Sequence, residues 1–214
     1  ILMYLLGINC SFNANNHDPS ACLMKDGKII GAIEEERLNR VKTSLGYFPY
    51  KSISSLLKNA NIDISKISYV ISTGVTHKDI KKKIKSCLIH AYGKSPTIVI
   101  LNHGLTHIAG TYFSSGFDNS LIVSIDGMGD KISTIICQGD KYKFKELYRS
   151  TGKQHLESLG IFYACFTEYL GFKQTEGEYK VMGMSAYGKK IYDLSKFIKL
   201  NKNPFRIELN PKLM

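Results

Sequence analysis

Ser120-Leu121-Ile122-Val123-Ser124-Ile125-Asp126-Gly127-Met128-Gly129-Asp130 decides the architecture of this chain. Its first six residues read as an apolar strand, and the five that follow as a tight polar turn. Beyond them, residues 132–137 read as a second strand, Gly139-Asp140 as a turn and residues 142–148 as a third strand. The same order occurs at the start of the chain. There residues 3–8 are an apolar strand, and residues 9–20 form a polar loop carrying Asn13, Asn15, Asn16, His17 and Asp18. Residues 20–24 make a second strand, Asp26-Gly27 a hairpin turn and residues 28–33 a third strand. The recurrence is one of pattern, not of identity. It predicts two related subdomains, residues 1–118 and 119–214, each opening with a three-stranded antiparallel meander.

Between the two meanders the period changes. Ile53, Leu56, Leu57 and Ala60 share a helical face behind Pro49, a residue suited to a helix start. Residues 67–72 and 97–101 read as strands, and residues 78–91 and 104–113 as helices. Alternating elements of this kind imply a mixed α/β sheet. From Thr151 onward the pattern is helical, with a helix over residues 158–170 that Gly171 ends. Residues 192–200 read as another short helix, and residues 201–214 give no clear element. On this reading the second subdomain stops before it mirrors the first.

Composition narrows the function classes. A 214-residue chain with 43% apolar and 22% charged residues can bury a sizeable core. No apolar run approaches the roughly 18 residues of a membrane span, so no membrane partner is expected. The apolar start lacks the basic leader and cleavage site of a signal peptide. The formal charge is +11, which raises the question of nucleic acid. Lys81, Lys82, Lys83 and Lys85, however, alternate with Ile80, Ile84, Leu88 and Ile89 as the solvated face of a helix would, and nucleic acid is not the expected partner. A positive field still draws anionic substrates. The five cysteines form no C-x-x-C pair and lie mostly in apolar runs, as free thiols of a reducing cytoplasm do.

Four constellations can carry chemistry. His103-x-x-x-His107 puts two imidazoles on one helical face within reach of one metal ion, although two ligands do not complete a site. Asp126-Gly127-x-Gly129-Asp130 follows an apolar strand directly. Its glycines let backbone approach a ligand, and its N–H groups can form an anion nest; the plain alternative is a hairpin turn. His17-Asp18 occupies the matching loop of the first meander and can bind metal, orient a base or cap a turn. Arg37, Arg40 and Lys42, after Glu35-Glu36, can clamp an anion or form a solvated charged turn. The repeat predicts that the two loops face each other across a cleft, as a nucleotide-phosphate site requires.

These residues together resemble a known family. His17-Asp18-x-Ser20-Ala21, Asp26-Gly27, Glu35-Glu36-Arg37-x-x-Arg40-x-Lys42 and Phe48-Pro49 follow one another in order. Then come His103-x-x-x-His107-x-Ala109, Ser124-Ile125-Asp126-Gly127-x-Gly129-Asp130 and Glu178-Tyr179-Lys180-Val181-Met182-Gly183-Met184-x-Ala186-Tyr187-Gly188. From about residue 3 to 190 the chain is similar to the amino-terminal part of the O-carbamoyltransferases of the nodulation, cephamycin and tobramycin type. The resemblance implies an actin/hexokinase/Hsp70-like (ribonuclease H-like) fold of duplicated subdomains, the second incomplete.

The resemblance also implies a chemistry. A carboxy-terminal adenylate-forming domain of the same polypeptide, outside this chain, makes carbamoyl-adenylate from carbamoyl phosphate and ATP. The actin-like part transfers the carbamoyl group to a hydroxyl of a sugar or other small acceptor. His103 and His107 are then metal ligands, for divalent iron, with a further aspartate from a later part of the fold. Asp126, Gly127, Gly129 and Asp130 match a phosphate-binding turn. Arg37 and Lys42 are candidates for the adenylate phosphate. His17 and Asp18 match a motif of the active-site cleft, and His17 is assigned the acceptor hydroxyl. One departure bears on the site: the family commonly reads His-His-x-x-His, and Gly104 stands here in the second place. Two other classes remain open, a sugar-kinase-like phosphotransferase and a non-catalytic nucleotide-binding module. A kinase of this fold has no need of the histidine pair.

Overall fold

The computed structural model describes residues 3–12, 17–150, 157–202 and 205–210. The loop residues Asn13, Asn15 and Asn16, Thr151, and residues 203–204 and 211–214 of the tail lie outside them. The chain divides into two compact units, Ile1–Asn102 and His103–Met214.

In the first unit the strands are β1 (Tyr4–Asn9), β2 (Ser20–Lys25), β3 (Lys28–Glu34), β4 (Ile67–Thr73) and β5 (Thr97–Leu101). They form one sheet in the order β3-β2-β1-β4-β5. The meander β1-β2-β3 is antiparallel, and β4 and β5 join it in parallel on the β1 side. Asp26 and Gly27 both take positive φ, 48° and 79°, as a two-residue hairpin between right-twisted strands requires. Helices α1 (Glu35–Asn39), α2 (Tyr50–Asn59) and α3 (Ile80–Tyr92) complete the unit. Ile53, Leu56 and Leu57 of α2 are buried with Leu6, Leu23 and Val70 of the sheet. The lysines of α3 point outward while Ile80, Ile84 and Leu88 are buried, as the spacing predicts. Ile89 departs from that reading and is exposed.

Glu35 has a structural task that its place in a charged run conceals. Its side chain is only 2% exposed. Its carboxylate accepts the backbone N–H of Lys51 at 3.0 Å and of Ser52 at 2.8 Å, and the Ser52 hydroxyl at 2.7 Å. It therefore caps the N-terminus of α2, which offers no capping side chain of its own. Replacing Glu35 with Ala strands three donors, the two of Ser52 buried and that of Lys51 partly buried. The expected cost is about 2–3 kcal/mol, read as a lower urea midpoint for the first unit. Glu35→Gln, which keeps an acceptor, should lose less.

The second unit opens with α4 (His103–Ser115) and the antiparallel sheet β6 (Asn119–Gly129), β7 (Ile132–Asp140) and β8 (Lys143–Arg149), in the order β6-β7-β8. Ile108 and Tyr112 of α4 pack on Ile122, Ile135 and Cys137 of the sheet. Helix α4 thus belongs with the second sheet. Helices α5 (Leu159–Tyr169) and α6 (Glu178–Ser185) follow, then β9 (Ile198–Lys202) and β10 (Phe205–Leu209), which pair with each other. Ser158, read from sequence as the first residue of this helix, is its cap, and Gly171 takes φ 85° just beyond the end, as the sequence predicts.

Three expectations are corrected here. Gly139-Asp140 is not a turn; β7 runs through it, and Gly139 lies against the Tyr112 ring, where a Cβ would come within 2.4 Å of Cε2. Residues 192–200 are not a helix. The Asp193 carboxylate takes the N–H of Ser195 at 2.9 Å and its hydroxyl at 2.8 Å, a local turn that competes with helix. The tail does contain an element: β10, whose Ile207 and Leu209 are buried at alternate positions. Among the described residues no helix is long and apolar enough to cross a membrane.

Candidate metal centre

The predicted turn at residues 126–130 is also resolved differently. Strand β6 continues to Gly129, but its pairing with β7 slips between Ile125 and Gly129. Residues 126–128 therefore form a bulge out of the ladder. The turn itself is Asp130-Lys131, both residues at positive φ, 51° and 65°. A bulge re-aims side chains at the end of a strand. Here it aims Asp126 at the start of α4.

Helix α4 supplies the other members. His103 and His107 sit one turn apart with ring centroids 4.6 Å apart, as the i, i+4 spacing requires. Their Nε2 atoms approach to 2.9 Å, and His103 Nε2 also lies 2.9 Å from Asp126 Oδ2. The three ligand atoms all fall within 4.8 Å of one another. A single ring nitrogen has one in-plane direction and cannot serve both neighbours. Asp126 Oδ2 is in fact buried and accepts no aligned hydrogen bond. An orphaned carboxylate oxygen beside two converging imidazole nitrogens fits a divalent ion. Adjacent ligands about 2.1 Å from one metal, at right angles, are themselves about 3 Å apart.

The surroundings hold this set in place. Asp126 Oδ1 accepts the N–H of Gly127 at 2.7 Å, leaving Oδ2 toward the histidines. Asp130 Oδ2 accepts the N–H of His103 at 2.8 Å, placing a negative charge at the positive end of α4. Gly129 lies under the imidazole of His103; a Cβ there would stand 2.0 Å from Cδ2. Electrostatics follow the contacts. The Asp126 carboxylate raises the pKa of His103 against the opposing effect of its burial. Burial, then the charge of His103, lowers that of His107. Burial alone would raise the Asp126 carboxyl, but His103 and the Gly127 N–H hold it below the usual value.

The remaining predicted residues lie in the first unit. His17 Nδ1 meets Asp18 Oδ2 at 2.6 Å, and Asn9 Nδ2 donates to the carbonyls of both residues at 2.9 and 3.0 Å. Asp18 sits at φ 55°, so the pair is held on a left-handed kink of the loop. Arg37 and Lys42 are largely exposed, and both face acids. Arg37 Nε donates to Glu34 at 3.1 Å, and Lys42 Nζ to Glu36 at 3.4 Å. Glu36 is held below its ordinary pKa chiefly by the Thr43 N–H it accepts. The structure brings together His103, His107, Asp126, Gly129 and Asp130. Asp126 as a third candidate ligand and Gly129 as the floor under His103 are not legible in the sequence. The slipped pairing that creates both depends on β7.

The likeness to solved structures agrees with this architecture. Component A of (R)-2-hydroxyglutaryl-CoA dehydratase from Acidaminococcus fermentans superposes with a TM-score of 0.52 over 90% of this chain and 62% of its own, at 16% identity. The fold is α/β of the actin/hexokinase/Hsp70-like class. The family model described as Carbamoyltransferase N-terminus matches residues 80–212, and the chain belongs to that family. The nodulation protein NolNO of Sinorhizobium fredii is 33% identical over 198 residues, covering 82% of this chain and 28% of that protein. An uncharacterized protein of Methanocaldococcus jannaschii is 34% identical over 174 residues, covering 81% of this chain and 32% of its own length. The chain thus spans about a third of the length of these relatives.

Proposed function

We propose that this chain is the metal-holding, actin-like part of an enzyme that transfers a carbamoyl group to a hydroxyl of a small-molecule or sugar acceptor. The activated donor is carbamoyl-adenylate, made from carbamoyl phosphate and ATP by a further domain of the same polypeptide. The observation that carries the reading is the convergence of His103 Nε2, His107 Nε2 and Asp126 Oδ2 on one point, within a chain of the carbamoyltransferase family. A sugar kinase needs no such set.

His103, His107 and Asp126 would hold a divalent ion, iron by resemblance. When bound, the ion supplies Lewis acidity toward the carbamoyl carbonyl oxygen. Attack by an alcohol on an adenylate mixed anhydride builds negative charge on that oxygen and releases a proton from the hydroxyl; as the carbamate ester forms, the bond from the carbamoyl carbon to the phosphate oxygen breaks and AMP leaves. We assign that proton to His17, whose ring Asp18 orients through the 2.6 Å contact. Asp130 keeps α4 in register with the bulge, and Gly129 leaves the His103 ring its place. We assign the enzyme to the cytoplasm, in keeping with its free cysteines.

The test uses the whole gene product with carbamoyl phosphate, ATP and a panel of polyhydroxylated acceptors. Carbamoylated acceptor, detected by mass spectrometry and dependent on ATP and on a divalent metal, is the expected product. Phosphorylated acceptor in its place would establish the kinase reading. ATP binding with neither product would leave a nucleotide-binding module.

A further inference from the structure

The bulge that carries Asp126 has lost its ladder partners, so something else must fix its peptide planes. The N-terminus of α5 does so. Ser158 is fully buried. Its hydroxyl lies 2.6 Å from the Gly127 carbonyl oxygen and 3.1 Å from that of Asp126, and it accepts the N–H of Ile161 at 3.0 Å. The one hydroxyl proton is thus shared toward two bulge carbonyls while the lone pairs cap the helix. Two residues on, Gly160 presses against the same peptide. A Cβ at Gly160 would stand 2.5 Å from the Gly127 nitrogen and 2.7 Å from the Asp126 carbonyl carbon and oxygen. The preceding residue is anchored as well, since the Ser133 hydroxyl on β7 donates to the Glu157 carbonyl at 3.2 Å.

We infer that Ser158 and Gly160 are positioning residues for Asp126: the start of α5 sets the peptide between residues 126 and 127, and through it the aim of the carboxylate. The linkage is short. That peptide supplies the Gly127 N–H, the N–H holds Asp126 Oδ1 at 2.7 Å, and Oδ2 is thereby turned toward His103. The inference rests on the metal-centre reading. It adds that the centre is built from three separate elements, α4, the β6 bulge and α5. Groups that orient a metal ligand typically govern affinity by about 10–100-fold.

The experiment uses the 214-residue chain, Co2+ as probe followed by its visible absorption, and amide hydrogen exchange at Gly127 without metal. Ser158→Ala is expected to speed Gly127 exchange at least about tenfold and to weaken Co2+ binding by about 10–100-fold. Ser158→Thr supplies the same hydroxyl and restores both. Gly160→Ala is the second variant. Alanine favours a helix over glycine, so a role confined to α5 predicts unchanged or tighter packing and unchanged Co2+ binding. The inference predicts loss of Co2+ affinity with the helix intact by circular dichroism. Wild-type Co2+ affinity in both variants overturns it, as does faster Gly127 exchange with no change in affinity. If the wild-type chain itself takes up no Co2+, the metal-centre reading fails first and this inference falls with it.

Discussion

His103→Ala and His107→Ala should each strip the metal from the protein and abolish carbamoyl transfer by the whole gene product. The loss of metal affinity should exceed the about 10–100-fold that removal of a supporting contact costs, because a ligand is gone and not merely misdirected. The reason is in the geometry: three donor atoms within 4.8 Å leave no spare protein ligand in the set. The fold should survive. His107 is exposed, and His103 keeps a third of its side-chain surface open, so neither fills the core made by Ile108, Ile122 and Ile135. Metal content and melting temperature, measured on the same samples, separate the two effects. Asp126→Asn extends the test, since it preserves shape while removing the carboxylate whose contact and charge raise the pKa of His103. It should also lower metal content. Full metal occupancy and wild-type transfer in both histidine variants would remove the basis of the assignment.

What could be read ahead of the structure was the chemistry written in short spacings. The i, i+4 histidines needed only the pitch of a helix to be placed on one face. Asp26-Gly27 needed only the handedness of a hairpin, and Ile53, Leu56 and Leu57 only the helical period. The residues that escaped depend on partners distant in sequence. In sequence Asp126 looks like part of a turn because a Gly/Asp cluster after a strand has that local preference. Whether the strand stops there or bulges is decided by register with β7, which no spacing within β6 encodes. Glu35 stands with Glu36 and Arg37 in what looks like a charged run, yet its carboxylate serves a helix 17 positions away in sequence, at Ser52. Residues 192–200 carry apolar side chains compatible with either period. The choice fell to the Asp193 turn and to the burial of Ile207 and Leu209 on the paired strand. The same limit applies to Arg37 and Lys42. Their charges were visible, and Arg37 meets Glu34 at the i, i+3 spacing of a helix, but the pairing of Lys42 with Glu36 requires knowing how the chain turns back after α1.

Gly129→Ala should be nearly as damaging to the metal centre as loss of a ligand's support, although it adds a single methyl group. In a strand, alanine costs no more backbone entropy than glycine and ordinarily recovers about 0.5–1 kcal/mol. Here the new Cβ would lie 2.0 Å from His103 Cδ2 and 2.3 Å from Cγ. That overlap is too deep for a small adjustment, so the ring must swing away from Asp126. Metal affinity should fall by about 10–100-fold, as for other changes that misdirect a ligand. A double-mutant cycle with His103→Ala isolates the cause. With the imidazole gone, the three nearest atoms that the methyl would meet are gone too, and Gly129→Ala should then cost little stability and no further affinity. Calorimetric metal titration and thermal melts of the two single variants and the double variant supply all four corners. An equal penalty with and without His103 would place the role of Gly129 in the backbone of β6 instead of beneath the ring.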